Sequence, residues 1–282
     1  MKTVWITGAG GLIGSYLVRT APHFVSDARV VALTRERLDL TDSPAVEVEF
    51  RRQNPQLVIH CAALSRSPEC EANPELARRL NVEVTAQLAQ VAAEIAFVFL
   101  STDLVFDGRA GHYEESAATN PLGVYAETKV AAEQIVLANP RHTVIRTSLN
   151  GGTSPTGDRG FNEQMRRAWR AGRTLSLFVD EFRSPIPAEV TARAIWELVA
   201  LKRAGLYHVA GSERLSRWQI GQFLAARWPV LKPKIEPGSL KEYAGAPRAP
   251  DTSLNCAKAQ NLLSFHLPGL TEWLSEHPNE VF

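Results

Sequence analysis

The stretch Thr7-Gly8-Ala9-Gly10-Gly11-Leu12-Ile13-Gly14 decides how the rest of this chain is read. It follows an apolar run, Thr3 to Thr7, and opens a segment from Leu12 to Thr20 that is compatible with a helix. A glycine turn between strand and helix aims backbone N–H groups and the positive end of the helix at one point, which favours a phosphate. A pyrophosphate is therefore expected against Gly8, Gly11, Leu12, Ile13 and Gly14, the glycines permitting a tight turn and a close approach.

Outward from this motif, short apolar runs recur at Arg29 to Leu33, Leu57 to His60, Phe97 to Leu100 and Thr143 to Arg146, with helix-compatible stretches mostly between them. Such alternation reads as β-α-β, and runs that are continuously apolar fit a parallel sheet covered on both faces. The expected fold class is α/β, a Rossmann-type doubly wound parallel sheet with a smaller C-terminal lobe. Residues 1–150 are assigned to the dinucleotide-binding domain and 151–282 mainly to a substrate lobe, with segments returning to the sheet. Helix starts are expected where a capping residue precedes proline, Ser43 before Pro44 and Asn73 before Pro74, since proline suits the first helical position. Leu231 to Asp251, rich in proline, glycine and charge, reads as a long loop.

Composition excludes several function classes. Thirty-one basic against thirty acidic residues leave a net charge of +1, so no general field attracts nucleic acid or an anionic membrane. The longest apolar runs, such as Ile95 to Leu100, fall far below the roughly 18 residues of a membrane helix. Met1 to Ile6 runs directly into a strand pattern, without a separate apolar segment and cleavage site, and the expectation is a cytoplasmic protein. Cys61, Cys70 and Cys256 show neither a C-x-x-C pair nor zinc spacing and read as free thiols; the scattered histidines give no metal site.

The second strand ends at Arg35, 21 positions after Gly14. An acidic residue near this position receives the ribose hydroxyls of NAD, whereas an arginine accommodates the 2′-phosphate of NADP. NADPH is the expected cofactor and NADH the alternative, because Glu36 stands beside Arg35 and Arg35 also reads as a plain surface residue. Asp39 and Leu40 are candidates for the adenine side, against the alternative of a helix-capping region around Asp42.

Tyr125 and Lys129 are four apart in a helix-compatible stretch and so face one way. Alone, Y-x-x-x-K is better explained by an amphipathic helix with a solvated lysine than by catalysis. Beside a glycine cradle, it fits the proton donor that a carbonyl needs when its carbon receives hydride, with Lys129 expected to favour the phenolate. Thr102, just beyond the Phe97 to Leu100 strand, is placed to hydrogen-bond that carbonyl, since ligands of open α/β sheets bind at the carboxyl ends of strands.

Thr7 to Gly14, His60-Cys61-Ala62-Ala63, Ser101-Thr102-Asp103-Leu104-Val105-Phe106-Asp107-Gly108, Tyr125 to Lys129, and Arg248 to Asn255 together resemble the dTDP-4-dehydrorhamnose reductase family of extended short-chain dehydrogenases, over nearly the whole chain. The resemblance implies NAD(P)H-dependent reduction of the 4-keto group of a nucleotide-linked deoxysugar, with Thr102, Tyr125 and Lys129 catalytic. It implies cofactor contacts at Cys61, Ala62 and Ala63 as well, and substrate contacts at Asp103. Arg183 or Arg248 is expected to meet the diphosphate, since a nearly neutral protein must hold such a group with local cations, against the alternative of surface arginines in loops. Leu104 and Ala126 stand where the family usually has tyrosine and glycine, which bears on sugar identity more than on reaction type. Two other readings fit the same motifs: a non-catalytic NADP-binding subunit resembling the methionine adenosyltransferase beta subunit, and a nucleotide-sugar epimerase or dehydratase. Expected partners are a sugar nucleotide and, in a homodimer, a second copy of the chain.

Arg35 gives the first test. Arg35→Ala weakens NADPH binding and leaves NADH nearly unchanged in fluorescence titration, because the arginine fork is matched to a phosphate. Equal losses for both cofactors contradict this assignment.

Overall fold

In the computed structural model, which describes residues 2–282, the apolar runs of the first half become strands β1 (Lys2–Thr7), β2 (Ala28–Leu33), β3 (Leu57–His60), β4 (Ala96–Thr102) and β5 (His142–Thr147). Between them lie α1 (Leu12–Phe24), α2 (Ser43–Gln53), α3 (Ser67–Ala72), α4 (Pro74–Arg78), α5 (Val84–Val91) and α6 (Val124–Leu137). The second half adds β6 (Asn150–Gly151), α7 (Phe161–Arg170), β7 (Thr174–Phe178), β8 (Phe182–Arg183), β9 (Ile186–Pro187), α8 (Ala188–Ala200) and β10 (Gly205–Val209). It ends with β11 (Leu215–Ser216), α9 (Arg217–Arg227), β12 (Lys234–Gly238), α10 (Ala257–Gln260) and α11 (Leu270–Glu276). No helix of the described residues is long and apolar enough to cross a membrane.

Six strands form one parallel sheet in the order β10-β5-β4-β3-β1-β2. Side chains alternate between its faces. Val4 and Ile6 of β1 join Leu17, Ile59, Val98, Ile195 and Trp196 on the face covered by α1 and α8. Trp5 joins Val58, Leu88, Phe97, Phe99, Ala132 and Val144 on the face covered by α5 and α6. With both faces covered, β3 and β5 are buried at every residue, which is why they read as continuous apolar runs. The second half supplies α8, packed on α1, and β10, the edge strand beside β5. The rest of it gathers around Trp169, Leu215, Ile220, Leu224, Leu270 and Trp273.

Two local expectations are corrected. Ser43 does not cap α2; Asp42 does, its Oδ1 accepting from Ala45 N at 3.0 Å, while the Ser43 hydroxyl turns to Gln87. The stretch from Leu231 to Asp251 is not one loop, because β12 pairs in parallel with β7 from Lys234↔Thr174 to Gly238↔Phe178. Its Pro237 obscured the strand signal, since proline weakens any strand reading. At Asn73, by contrast, the side chain caps α4 as expected, accepting from Leu76 N at 3.0 Å.

Under the carboxyl end of the sheet lies a buried ion pair. Arg146 of β5 and Glu133 of α6 are each 4% exposed and meet through Nη2–Oε2 at 2.7 Å, Nε–Oε1 at 3.0 Å and Nε–Oε2 at 3.1 Å. Ser101 of β4 donates its hydroxyl to Glu133 Oε1 at 2.5 Å. Arg146→Leu strands the Glu133 charge in the core and should cost about 3–5 kcal/mol in urea unfolding, whereas replacing both partners by apolar residues recovers much of that loss. A single variant as stable as the parent contradicts this account.

Candidate active site

The glycine cradle sits between β1 and α1. Gly8 has φ +65°, and a Cβ there would lie 2.6 Å from Ala62 N; a Cβ on Gly14 would lie 2.3 Å from Gly8 O. The turn therefore presses on the β3 loop on one side and on its own helix on the other, and only glycine fits either position. The N-cap, Gly11, has no side chain to cap the first turn of α1, so the amides of that turn are orphan donors facing the cradle. This donor set fits a dinucleotide pyrophosphate.

Ala9 N donates to Leu33 O at 3.2 Å, which brings the end of β2 beside the cradle. Arg35 is exposed there, next to Glu36, whose carboxyl is held below its usual range by its own backbone N–H, the Thr34 hydroxyl and the Arg35 charge. Asp39 is committed to a turn, its Oδ1 accepting from Thr41 N at 2.9 Å and Oγ1 at 2.8 Å. Leu40 is half-buried against the cluster containing Trp5 and Val31. Cys61 and Ala62 are partly buried and Ala63 is exposed, on the loop that leaves β3 beside Gly8.

Thr102 ends β4. Its hydroxyl donates to Asp103 Oδ1 at 3.1 Å and accepts from Leu104 N at 3.2 Å. Asp103 is fully buried and collects further donors: Arg183 Nη2 at 2.5 Å on Oδ1, then Ser148 Oγ at 2.5 Å, Arg183 Nε at 2.7 Å and Thr252 Oγ1 at 3.2 Å on Oδ2. Its carboxylate is spent on internal partners. Tyr125, in the first turn of α6, borders a cleft lined by Glu71, Leu104, Leu122, Ala126, Pro247 and Ala249.

Burial pushes the Tyr125 hydroxyl well above its ordinary value, and the Asp103 carboxylate adds to this, while Arg183 and the Thr102 hydroxyl pull the other way. The expectation that Lys129 favours the phenolate has no support in this arrangement: the charged groups acting on Tyr125 are Asp103 and Arg183. Lys129 points one turn further along α6 into the sheet, where Nζ donates to Leu100 O at 2.6 Å and lies 3.9 Å from the centre of the Phe99 ring. Burial pushes it down to about 7, against the opposing pull of Glu133. At neutral pH the Tyr125 phenol carries its proton, as an unperturbed phenol does, and its upward shift makes it a weaker acid.

Several supporting residues escaped the sequence reading. Asn81, 1% exposed on a π-helical turn from Arg79 to Glu83, accepts from Leu64 N at 2.8 Å and donates to Leu64 O and Thr128 Oγ1, both at 3.0 Å. It ties the β3 loop to α6. Glu71 Oε1 accepts from Val124 N at 2.8 Å and so caps α6 from α3. His60 Nδ1 meets Thr7 Oγ1 at 2.7 Å, and that hydroxyl accepts from Ala62 N at 3.3 Å. The only signal for Asn81 was a polar residue inside an apolar stretch, whereas His60 stood in the motif His60 to Ala63 without a role assigned to it.

Neither arginine expected at a diphosphate offers a free fork. Arg183 is bidentate to Asp103, and Arg248 is bidentate to Glu181, through Nε–Oε2 at 2.7 Å and Nη2–Oε1 at 2.9 Å. The Arg183 pair joins the strand end to the C-terminal lobe, and the Arg248 pair lies within that lobe.

Residues 1–281 match the family described as RmlD substrate binding domain. The chain is 32% identical to the dTDP-4-dehydrorhamnose reductase of Mycobacterium tuberculosis H37Rv, with 96% of this chain and 89% of that one covered. It is 28% identical to methionine adenosyltransferase 2 subunit beta of Xenopus laevis, over 91% of this chain and 81% of that one. The crystal structure of dTDP-4-dehydrorhamnose reductase from Bacillus anthracis in complex with NADP superposes with a TM-score of 0.87 at 25% identity, over 98% of each chain. With its doubly wound sheet and the match running from end to end, the chain belongs to the dTDP-4-dehydrorhamnose reductase family of extended short-chain dehydrogenases.

Proposed function

We propose that this chain reduces the 4-keto group of a nucleotide-linked deoxysugar, using NADPH, in the cytoplasm. The observation that carries this reading is the placement of the Thr102 hydroxyl at the carboxyl end of β4 and of Tyr125 in the wall of the cleft that Leu104 also lines, two strands from the glycine cradle. A relative named as a reductase and a similar structure holding NADP support it. Free thiols at Cys61, Cys70 and Cys256 fit a reducing compartment.

When bound, NADPH supplies the hydride; Gly8, Gly11, Leu12, Ile13 and Gly14 would hold its pyrophosphate, Arg35 its 2′-phosphate, and Cys61 to Ala63 with Lys129 its nicotinamide half. The chain's own residues manage the proton. Thr102 has one hydroxyl hydrogen, given to Asp103 in this structure; turned to a substrate carbonyl it orients that oxygen, and Asp103 keeps its bonds from Arg183, Ser148 and Thr252. Tyr125, protonated at neutral pH as a phenol is, donates to the same oxygen as charge develops there.

A panel of 4-keto sugar nucleotides assayed by NADPH oxidation tests the reading, and at least one member should be turned over. Tyr125→Phe should lower that turnover by about 10²- to 10⁴-fold while NADPH still binds. NADPH binding with no turnover on any member contradicts catalysis and favours the role of a cofactor-binding subunit.

Lys129 supplies a separate pH test. Its ammonium is favoured in the unfolded chain, with an ordinary value of 10.5, over the folded one at about 7. Below about pH 7 both states are protonated and the burial penalty is full; between about pH 7 and about pH 10 folding releases the proton, so stability from this group rises with pH. Urea unfolding should show that rise in the parent protein and lose it in Lys129→Met. Parallel stability profiles for the two proteins contradict the assignment.

A further inference from the structure

We infer that Arg217, the first residue of α9, holds the diphosphate of the nucleotide sugar; this rests on the proposed function and names the residue behind one part of its substrate. Three guanidinium groups, those of Arg183, Arg217 and Arg248, surround two carboxylates, Asp103 and Glu181. Asp103 takes both arms of Arg183, and Glu181 takes both arms of Arg248, with Arg183 Nη1 a further 3.7 Å away. Arg217 receives no carboxylate. Its Nη1 is buried without a hydrogen-bond partner, one of four such side-chain atoms among the described residues. The cluster therefore carries one positive charge in excess, beside a donor with nothing to bond.

The backbone fixes Arg217 in this cluster. Arg217 N donates to Glu181 O at 2.9 Å, and β11, just before it, pairs with β8 at Leu215↔Arg183 and Ser216↔Phe182. Arg183 reaches Asp103, next to Thr102, while Arg248 follows Pro247 and precedes Ala249 in the wall of the Tyr125 cleft. The cluster thus spans from the strand end that carries Thr102 to the lobe side of the same cleft. Arg248 has a positioning role: by filling Glu181, it keeps that carboxylate from closing on Arg217. Burial pushes the Arg217 guanidinium down to about 10, which leaves it charged at neutral pH.

A buried cationic donor without a partner is costly unless an anion from outside completes it. The diphosphate is the part of a nucleotide sugar that carries negative charge, and its oxygens match a guanidinium fork. The other three orphan atoms, on His142, Asn162 and Arg166, belong to none of the five residues of this cluster.

Calorimetry with thymidine diphosphate and with thymidine tests the inference on the full chain. Arg217→Met should weaken thymidine diphosphate by about tenfold or more, the worth of a charge-assisted hydrogen bond, and leave thymidine and NADP⁺ affinities unchanged. Arg217→Lys, which keeps the charge and loses the fork, should fall between the two, and Arg166→Met should match the parent. Unchanged NADP⁺ affinity certifies that a variant is folded. Parental affinity for thymidine diphosphate in folded Arg217→Met or Arg217→Lys overturns the inference, as does a parent protein that binds no nucleoside diphosphate. Diphosphate binding that depends on Arg217, in a protein that reduces no 4-keto sugar nucleotide, supports the inference and overturns the proposed function.

Discussion

At the carboxyl end of β4 one buried carboxylate, Asp103, gathers Thr102 from its own strand end, Ser148 from the segment after β5, Arg183 from β8 and Thr252 from the C-terminal lobe. A fully buried carboxylate is tolerated only when paired and hydrogen-bonded, so these four segments have to converge. That requirement docks the lobe onto the sheet and fixes the backbone from which Thr102 projects. The cleft beside Tyr125 is what remains between the docked parts.

A second constraint works from beneath. Burying both faces of the sheet forces α6 against β4 and β5, and the polar residues of its inner face then need partners in the core. Glu133 finds Arg146 and Ser101, and Lys129 finds Leu100 O and the Phe99 ring. Tyr125, one turn earlier, emerges at the cleft, with the start of its helix capped by Glu71. The pitch of one helix thus separates a buried cation from a protonated phenol, although four-residue spacing alone had put them in direct electrostatic partnership.

Much of the fold was legible in the sequence because a doubly wound sheet writes itself as apolar runs interrupted by helices. Leu57 to His60 is a strand with those bounds, and the glycines at 8 and 14 stand where added carbons would strike backbone. Position in the chain also marked Thr102 and Tyr125. The environments of charged residues were not legible. Arg183 and Arg248 looked like local cations for a ligand, yet Asp103 and Glu181 occupy them, and those pairings join residues 80 and 67 positions apart. Arg217 gave no signal, since its distinction is a missing partner that only the packed cluster reveals.

The most direct measurement follows the transferred hydrogen. With NADPH deuterated at the reactive position of its nicotinamide and a 4-keto-6-deoxy sugar nucleotide as acceptor, mass spectrometry of the product reports where the label goes. The account predicts one deuterium bonded to the sugar's C4 and an unlabelled proton on its oxygen, exchangeable with solvent. A product without carbon-bound label, or bound NADPH that stays unoxidised beside every acceptor, contradicts it.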